Sequence, residues 1–295
     1  RLCALVRRCD KRTFQVNTHY ARAVLFIRVA IRFYLLHCFQ NTFFALLASQ
    51  QKIKDELSAD FCDGKLGENH HLYEETKHAS GNNLFKEAAI VLKKLYAFCA
   101  RESFVINLHP DTDLLFAKTN EERKQIIKTY SEDLAISNMG FNEILFKSVK
   151  GQKDELYRCK AIYFLFFIHY SSTIGHYCRH LYHILKYIDQ AQLDILIMVR
   201  NNFDGEERRD KMMEVSKRFK RYTAFLQSGL SSSEMCILFY NSLIYPKARK
   251  LYLRYNLLEN LLDIHLIKSE HKNLVKGFHC KSHNKMIAEF LTMKE

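Results

Sequence analysis

The stretch Tyr163-Phe-Leu-Phe-Phe-Ile168 lies near the middle of the chain and decides its fold. It belongs to a helical pattern that begins near Gln152, and it is so apolar that its helix must be buried on most sides. We therefore expect the longest helix of the protein here, at the centre of the core. Its aromatic side chains are expected to be core residues: Tyr163, Phe164, Phe166 and Phe167. Gly175 is expected to kink or break this helix before a second one, from His176 to about Asp189.

The composition predicts an all-α fold. With 2 Pro and 9 Gly among 295 residues, the chain has too few turn-forming residues for an all-β fold, and its long Leu-, Lys- and Glu-rich stretches favour helices. A hydrophobic content of 48% is sufficient for a core. We predict a basic, weakly patterned segment over Arg1–Leu36 and a single multi-helix domain, of the helical-bundle kind, over residues 37–295.

Local signals predict where several helices begin. The polar stretch Asp63–Gly81 predicts a loop, after which Asn82 or Asn83 is expected to cap a helix. That helix has an apolar stripe formed by Leu84, Ala88, Val91, Leu95 and Cys99. Two further helix starts carry a capping-box pattern, Thr119 with Glu122 and Ser231 with Glu234.

The excess of positive charge indicates anionic partners. The chain has 45 Lys and Arg against 32 Asp and Glu, a formal net charge of +13. A surface with this balance attracts nucleic acid, anionic lipid or acidic proteins. The same residues also serve as the solubilising faces of a large helical domain, and the composition leaves both interpretations open.

The cysteines indicate a reducing compartment, so we expect a cytoplasmic protein. The 9 Cys include no Cys-x-x-Cys pair and lie in apolar or helical stretches, which is typical of reduced core thiols. No phosphate-binding loop or dinucleotide-binding turn is present, so we expect no cofactor. With no Cys-x-x-Cys pair and no carboxylate that completes a ligand set with His176 and His180, we expect no metal site. The apolar stretch Ala21–Leu47 contains Arg28 and Arg32 and is not expected to span a membrane. If the native N-terminus is longer, we expect peripheral association with a membrane.

Three stretches of the sequence resemble the phage abortive infection family of the AbiC type. The first is Gln40-Asn-Thr-Phe-Phe-Ala-Leu-Leu47. The second and most specific is Gly175-His-Tyr-Cys-Arg-His-Leu-Tyr-His-Ile-Leu-Lys-Tyr-Ile-Asp189. The third is Leu230-Ser-Ser-Ser-Glu-Met-Cys-Ile-Leu-Phe-Tyr-Asn-Ser-Leu243, followed by Tyr255-Asn-Leu-Leu-Glu-Asn-Leu261. Together they cover roughly residues 38 to 265, and their joint occurrence is more specific than any one of them.

This resemblance implies a bacterial protein that shuts down phage-infected cells. Family members often carry a transmembrane or coiled segment before the stretch that corresponds to Gln40–Leu47. This chain has the charged Arg1–Leu36 segment there instead, and its native N-terminus is expected to differ or to begin earlier.

The polar side chains of the second stretch lie on one side of its predicted helix. At about 100° per residue, the polar stripe consists of His176, His180, His183 and Tyr187, with Arg179 and Lys186 beside it. The opposite, buried side is expected to be Tyr177, Leu181, Ile184 and Ile188. Arg179 and His183 are four residues apart and can touch, which predicts a ribonuclease site. His183 or His176 would handle the proton, and Arg179 would stabilise charge on the phosphate.

Several alternatives stay open for these residues. Metal-independent nucleases of the HEPN superfamily carry an Arg/His pair on one helix, but with a longer spacing than that of Arg179 and His183. The same side chains, with His176, would otherwise form a buried polar network that pins helices together. His176 and His180 have the spacing of two zinc-binding imidazoles, but Tyr177 stands where a zinc protease needs Glu.

The function that these patterns predict is an abortive infection effector or sensor that acts on RNA. The candidate catalytic residues are His176, Arg179 and His183, and the candidate binding residues are His180, Lys186, Tyr187 and Asn241. The alternative is a non-enzymatic adaptor that binds a phage protein or nucleic acid through its basic surface. RNA or a phage-encoded protein is the expected partner, and a homo-oligomer is an expectation by analogy alone.

Overall fold

The computed structural model describes residues 18–66, 72–100 and 152–292, together with residues 119, 121, 122, 125 and 149. The described residues form eight α-helices: α1 (Thr18–Glu56), α2 (Gly81–Ala100), α3 (Glu155–Tyr170), α4 (Ile174–Asn202), α5 (Gly205–Ser228), α6 (Ser232–Ile244), α7 (Pro246–Arg254) and α8 (His283–Thr292). Two short 3₁₀ helices, Asp263–His265 and Ser269–Asn273, lie between α7 and α8. The prediction of a mostly all-α fold is therefore confirmed.

The chain divides into two compact units, Arg1–Leu46 and Leu47–Glu295. In the first unit, α1 already begins at Thr18, whereas the sequence indicated only weak helical patterning before residue 37. The predicted domain boundary at residue 36 stays a prediction. Among the helices of the described residues, we find none whose length and apolar composition together would allow it to cross a membrane.

The predicted loop between residues 63 and 81 is wrong. Strands β1 (Ser58–Leu66) and β2 (Leu72–Ser80) pair there as an antiparallel hairpin, with Ser58 opposite Ser80. Over residues 58–61 of β1, exposed side chains alternate with less exposed ones, as in a strand, but only Phe61 has a large apolar side chain, so the sequence does not show the alternation. Phe61 is buried, while Asp60 is exposed and hydrogen-bonded at 2.8 Å to His78 on β2. Tertiary contact supplies the missing stability, since the ring of Phe61 packs 5.0 Å from that of Tyr170 on α3.

Helix α3 carries the central aromatic stretch and begins at a side-chain cap. Asp154 accepts hydrogen bonds from the backbone N–H groups of Leu156 and Tyr157, so the helix starts at Glu155 rather than near Gln152. It is shorter than α1 and α4, and the prediction that it is the longest helix is wrong. Of the four aromatic residues predicted to be in the core, Tyr163 and Phe166 are buried and Phe167 is partly buried. Phe164 is 42% exposed, so it does not belong to the core as predicted. Helix α3 packs on α2 and α6 and leaves one side exposed.

Gly175 does not break a helix. The break between α3 and α4 is the turn over residues 171–173, and Gly175 lies in the first turn of α4. A Cβ atom on Gly175 would lie 3.1 Å from Cζ of Phe167, so the glycine allows the close approach of α3 and α4. Helix α4 continues past the predicted end at Asp189 to Asn202.

Helix α6 lies at the centre of the core, with every residue from 234 to 243 buried. It begins at the predicted capping box: Ser231 Oγ accepts from the backbone N–H of Glu234, and the Glu234 carboxylate accepts from that of Ser231. The corresponding pair of hydrogen bonds is also formed between Thr119 and Glu122. The apolar stripe predicted for α2 is buried throughout.

Candidate functional site

Helix α4 divides into a polar exposed face and an apolar buried face, as its sequence predicts. The exposed side chains are His176, Arg179, His183 and Lys186, which are called the α4 basic face below. Tyr177, Leu181, Ile184 and Ile188 are buried on the opposite side. Arg179 and His183 are one helical turn apart on the exposed side, where a dissolved molecule can reach both.

The exposure of this face decides between two interpretations of its residues. A buried polar network of His176, Arg179 and His183 is wrong, because all three side chains are exposed. That interpretation applies instead to His180, which is partly buried and whose Nδ1 lies 2.6 Å from Oε1 of Gln50 on α1. The role of His176, Arg179 and His183 in catalysis stays a prediction.

His180 is held in its neutral form. Burial lowers its pKa, and the nearby His176 and His183 lower it further. Since the Gln50 atom facing it is a carbonyl oxygen, the neutral ring donates its Nδ1–H to that oxygen. His180 therefore helps to fix α4 against α1 near residue 50.

The lowered pKa of His180 makes part of the stability pH-dependent. Unfolding restores the ordinary pKa of about 6.5, so below that pH the unfolded chain binds a proton that the folded chain resists. This contribution is present above about pH 6.5 and is lost as the pH falls. We expect the free energy of unfolding, measured by urea denaturation at decreasing pH, to fall more in wild type than in His180→Gln. His279→Gln, which changes an exposed histidine that does not contribute to the pKa of His180, serves as the control. Equal pH dependence in wild type and His180→Gln would contradict the assignment.

The other predicted binding residues differ in their surroundings. Lys186 is exposed, while Tyr187 is partly buried and already engaged in contacts. Asn241 is buried in α6, and its Nδ2 donates to the hydroxyl of Tyr163 at 3.1 Å. Of these residues, Lys186 therefore belongs to the α4 basic face, whereas Asn241 lies in the core.

Tyr245 adds an aromatic side chain beside this face, and the sequence analysis missed it. It lies between α6 and α7, is exposed, and packs edge-on against the ring of Phe167 at 5.5 Å. Burial raises its pKa, and the charge of Arg179 opposes that rise. Only the turn that brings α7 back along α4 creates this neighbourhood, and the sequence carries no local signal for it.

A second cluster of reactive side chains lies in the core, where sequence reasoning expected only inert thiols and aromatic residues. Glu155 and Cys159 lie one turn apart on α3, and His271 comes from the second 3₁₀ helix. Within the described ranges, these are the three side chains with metal-ligating atoms that lie together, all within 4.8 Å of one another. His176 and His180 are not part of such a group.

The hydrogen bonds of this cluster form a continuous chain. The backbone N–H of Ile267 donates to the Tyr240 hydroxyl oxygen at 2.9 Å, and that hydroxyl lies 2.7 Å from Nδ1 of His271. Nε2 of the same ring lies 2.8 Å from Oε1 of Glu155, which also accepts from the hydroxyl of Tyr96. The neutral imidazole therefore accepts at Nδ1 and donates at Nε2, because a carboxylate can only accept.

Two cations reach the carboxylate from the outer side of the cluster. Lys268 Nζ lies 3.6 Å from Oε1 of Glu155, and Arg158 Nη1 lies 3.2 Å from its Oε2. Burial alone would raise the pKa of Glu155, but the hydrogen bonds from Tyr96 and His271 and the two cations lower it overall. Glu155 is therefore a carboxylate at neutral pH.

The imidazole and the thiol of the cluster are both held neutral. Burial lowers the pKa of His271, although its bond to Glu155 opposes this effect. Burial and the charge of Glu155 raise the pKa of Cys159 to about 12. A thiol with this pKa is a poor nucleophile, so the cluster does not act as a Cys/His catalytic pair as it stands.

The fold and these two sites define the class of the protein. It is a mostly α-helical protein with an exposed basic helix face and a cluster of one partly buried Glu with a buried Cys and His. Residues 169–266 match a family model described as "Putative phage abortive infection protein". The match confirms the resemblance to that family that the sequence predicts. Comparisons with curated proteins and with solved structures gave no match.

The matched segment contains the α4 basic face. It includes all of α4, α5, α6 and α7, and with them the second and third stretches that carried the resemblance. The first stretch, Gln40–Leu47, lies outside it. The candidate site on α4 thus belongs to the part of the chain that is similar to the family.

Proposed function

We propose that this protein acts in bacterial defence against phage as an abortive infection protein. The observation that carries the proposal is the family match over residues 169–266, because it contains four complete helices that pack on one another through buried faces. The segment is therefore a structural unit rather than an isolated motif. The description of the family names phage abortive infection, and the proposal extends that activity to this chain.

We further propose that the α4 basic face is the surface that contacts RNA. Arg179 and Lys186 supply exposed cations for phosphate groups, and Tyr245 supplies an exposed ring on which a base can stack. The net charge of +13 favours the approach of a polyanion to the whole chain. An unpaired strand fits this combination best, because its bases are free to stack.

Cleavage of that RNA would rest on Arg179 and His183. A neutral imidazole can remove the proton of a 2′-hydroxyl, and a guanidinium one turn away can stabilise the charge that develops on the phosphate. His176 is too far away to assist at the same phosphate, since seven residues of helix separate it from His183 by about 10 Å along the axis. The site therefore offers one proton-transfer group for each phosphate.

That single group is the observation that favours the second candidate function, a non-enzymatic adaptor. Transesterification of RNA needs a base for the 2′-hydroxyl and an acid for the leaving oxygen. With one imidazole in reach, the α4 basic face is better equipped for binding than for fast cleavage. The adaptor would bind nucleic acid there and pass on the signal through its assembly.

The experiment that separates these possibilities compares Arg179→Ala and His183→Ala with wild type in cells challenged by phage. We expect both variants to lose protection, measured as plating efficiency and culture survival at unchanged protein level. Arg200→Ala is the matched control, because Arg200 is an exposed arginine of the same helix outside the face. Protection retained by both variants would exclude the α4 basic face as the working site.

RNA measurements then distinguish effector from adaptor. Total RNA that is degraded by wild type during infection and intact with His183→Ala supports cleavage. Intact RNA in all strains, with salt-dependent RNA binding by the purified protein, supports the adaptor. In the binding assay, we expect Arg179→Ala to reduce the slope of log K against log salt concentration by about 1, as for the loss of one phosphate contact.

A further inference from the structure

The cluster of Glu155, Cys159 and His271, of which Glu155 is partly exposed, has the donor set of a transition-metal site. Carboxylate, thiolate and imidazole are the three side-chain ligands that zinc uses most. Two of them lie at i and i+4 on α3, and the third comes from an element far along the chain. Cys159 and His271 are each 1% exposed, so an ion held there would be shielded from solvent on one side.

The distances between donor atoms are close to those that one ion would impose. In a tetrahedral zinc site, a thiolate sulfur and an imidazole nitrogen lie about 3.6 Å apart, and a nitrogen and a carboxylate oxygen about 3.4 Å apart. Here Sγ of Cys159 lies 3.7 Å from both Nδ1 and Nε2 of His271, and Oε1 of Glu155 lies 2.8 Å from Nε2. An ion would have to widen the oxygen-to-nitrogen separation by about 0.6 Å.

We propose that Glu155, Cys159 and His271 bind one divalent ion of the zinc class. The proposal goes beyond the function proposed above and does not depend on it, because these residues lie apart from the α4 basic face. Glu155 would bind through Oε1, Cys159 through Sγ and His271 through Nε2. The sulfur and nitrogen donors favour zinc over magnesium or calcium, which prefer oxygen.

The Tyr240 hydroxyl oxygen is placed to accept the outer hydrogen bond that metal-binding histidines donate. When Nε2 binds the ion, the ring proton resides on Nδ1, 2.7 Å from the Tyr240 oxygen, which then accepts it. Ile267 holds that oxygen in place through its backbone N–H. The ring thus exchanges one tautomer for the other and keeps its proton, while Cys159 releases its thiol proton to solvent as the sulfur binds.

Three protein ligands leave the fourth coordination position of a tetrahedral ion open, and the surrounding groups determine which ligand binds there. The carboxylate and the thiolate together cancel the charge of a divalent ion. Lys268 and Arg158 add positive charge next to Glu155, and the Tyr96 hydroxyl lies on the same carboxylate oxygen. The fourth position is therefore suited to water or to a small anion, as in sites that keep one position open.

The test uses the full chain and cobalt, which reports on its own ligands. Wild type is expected to bind about one equivalent of zinc by elemental analysis. With cobalt in place of zinc, it should show the thiolate-to-metal charge-transfer band in the near ultraviolet. Cys159→Ala is expected to lose this band and to bind zinc at least tenfold more weakly in a competition assay with a chromophoric chelator, in line with the loss of a ligand.

Cys178→Ala is the matched control, because Cys178 is another buried free thiol and lies on α4. Cys178→Ala should keep the cobalt band. If the other cysteines bound cobalt by chance, the band would persist in Cys159→Ala as well. A wild-type protein without zinc and without a cobalt band would overturn the proposal, as would a band that persists in Cys159→Ala. Circular dichroism of each variant without metal establishes that the fold is kept, and a phage assay is not needed for the outcome.

Discussion

Lys54→Ala is expected to lower the free energy of unfolding by about 3 to 5 kcal/mol, because it leaves a buried carboxylate without its countercharge. The Lys54 Nζ atom lies 2.9 Å from Oε2 of Glu234, and both side chains are buried. Nζ also donates to the backbone carbonyl of Gly229 at 3.3 Å, so the ammonium group is itself well satisfied. Removal of the lysine therefore leaves the buried carboxylate of Glu234 without a countercharge, which is unfavourable for the folded state.

The other hydrogen bonds of Glu234 cannot replace the lysine. Its carboxylate accepts from the backbone N–H of Ser231 at 2.8 Å and from the hydroxyl of Tyr177. Both donors are neutral, so they stabilise the carboxylate by hydrogen bonding without cancelling its charge. The carboxylate is thus shared by three parts of the fold, since Lys54 is on α1, Tyr177 on α4 and Ser231 at the start of α6.

The measurement is chemical denaturation followed by the circular dichroism of the helices, because the chain contains no Trp for a fluorescence assay. Lys52→Ala is the matched control. Lys52 lies two residues away on the same helix, is 75% exposed and pairs with Glu56 at 3.7 Å. We expect its substitution to change stability by about 0.5 kcal/mol or less. If Lys54→Ala and Lys52→Ala had similar effects, the Lys54 pair would not be buried in solution.

A double substitution identifies the cause of the loss. Adding Glu234→Gln to Lys54→Ala removes the uncompensated charge while keeping a side chain that can hydrogen-bond to Ser231. The double variant is therefore expected to be less destabilised than the sum of the two single variants. Strict additivity would mean that the charge of Glu234 is not what makes Lys54 important.

The capping box of α6 illustrates how far local sequence signals reach. The pattern Ser231 to Glu234 predicts the start of this helix, and both of its hydrogen bonds are formed. The same glutamate also binds Lys54, which is 180 residues away in the sequence. No local pattern contains that pairing, because it depends on how α1 and α6 meet in the folded chain.

The two candidate sites also differ in whether a local sequence pattern predicts them. The α4 basic face could be predicted because its exposed and buried sides follow from a spacing of about 3.6 residues in one helix. The cluster of Glu155, Cys159 and His271 could not be predicted, since its third member is 116 residues from the first and lies in a short 3₁₀ helix. A spacing of four between Glu155 and Cys159 places both on one side of α3, but it does not indicate what that side meets.

The aromatic stretch of α3 is less buried than its composition predicts. A run of apolar residues predicts burial, yet one side of α3 is not covered in the structure, and Phe164 and Ile168 are both exposed there. The ring of Phe166 points the other way, is fully buried, and lies 5.7 Å from that of Tyr163 and 5.1 Å from that of Tyr170. The same residue type thus occupies a core position and a surface position two residues apart.

This pair gives a second large expected effect, tested within one helix. Phe166→Ala is expected to lower the free energy of unfolding by about 3 to 5 kcal/mol, because it removes a buried ring and leaves a cavity beside Tyr163 and Tyr170. Phe164→Ala is expected to cost less than about 1 kcal/mol, since an exposed ring loses little burial and alanine favours the helix. Urea denaturation of both variants provides the measurement. Equal losses would mean that Phe164 is covered in solution, and α3 would then be buried on most of its sides, as its composition alone predicts.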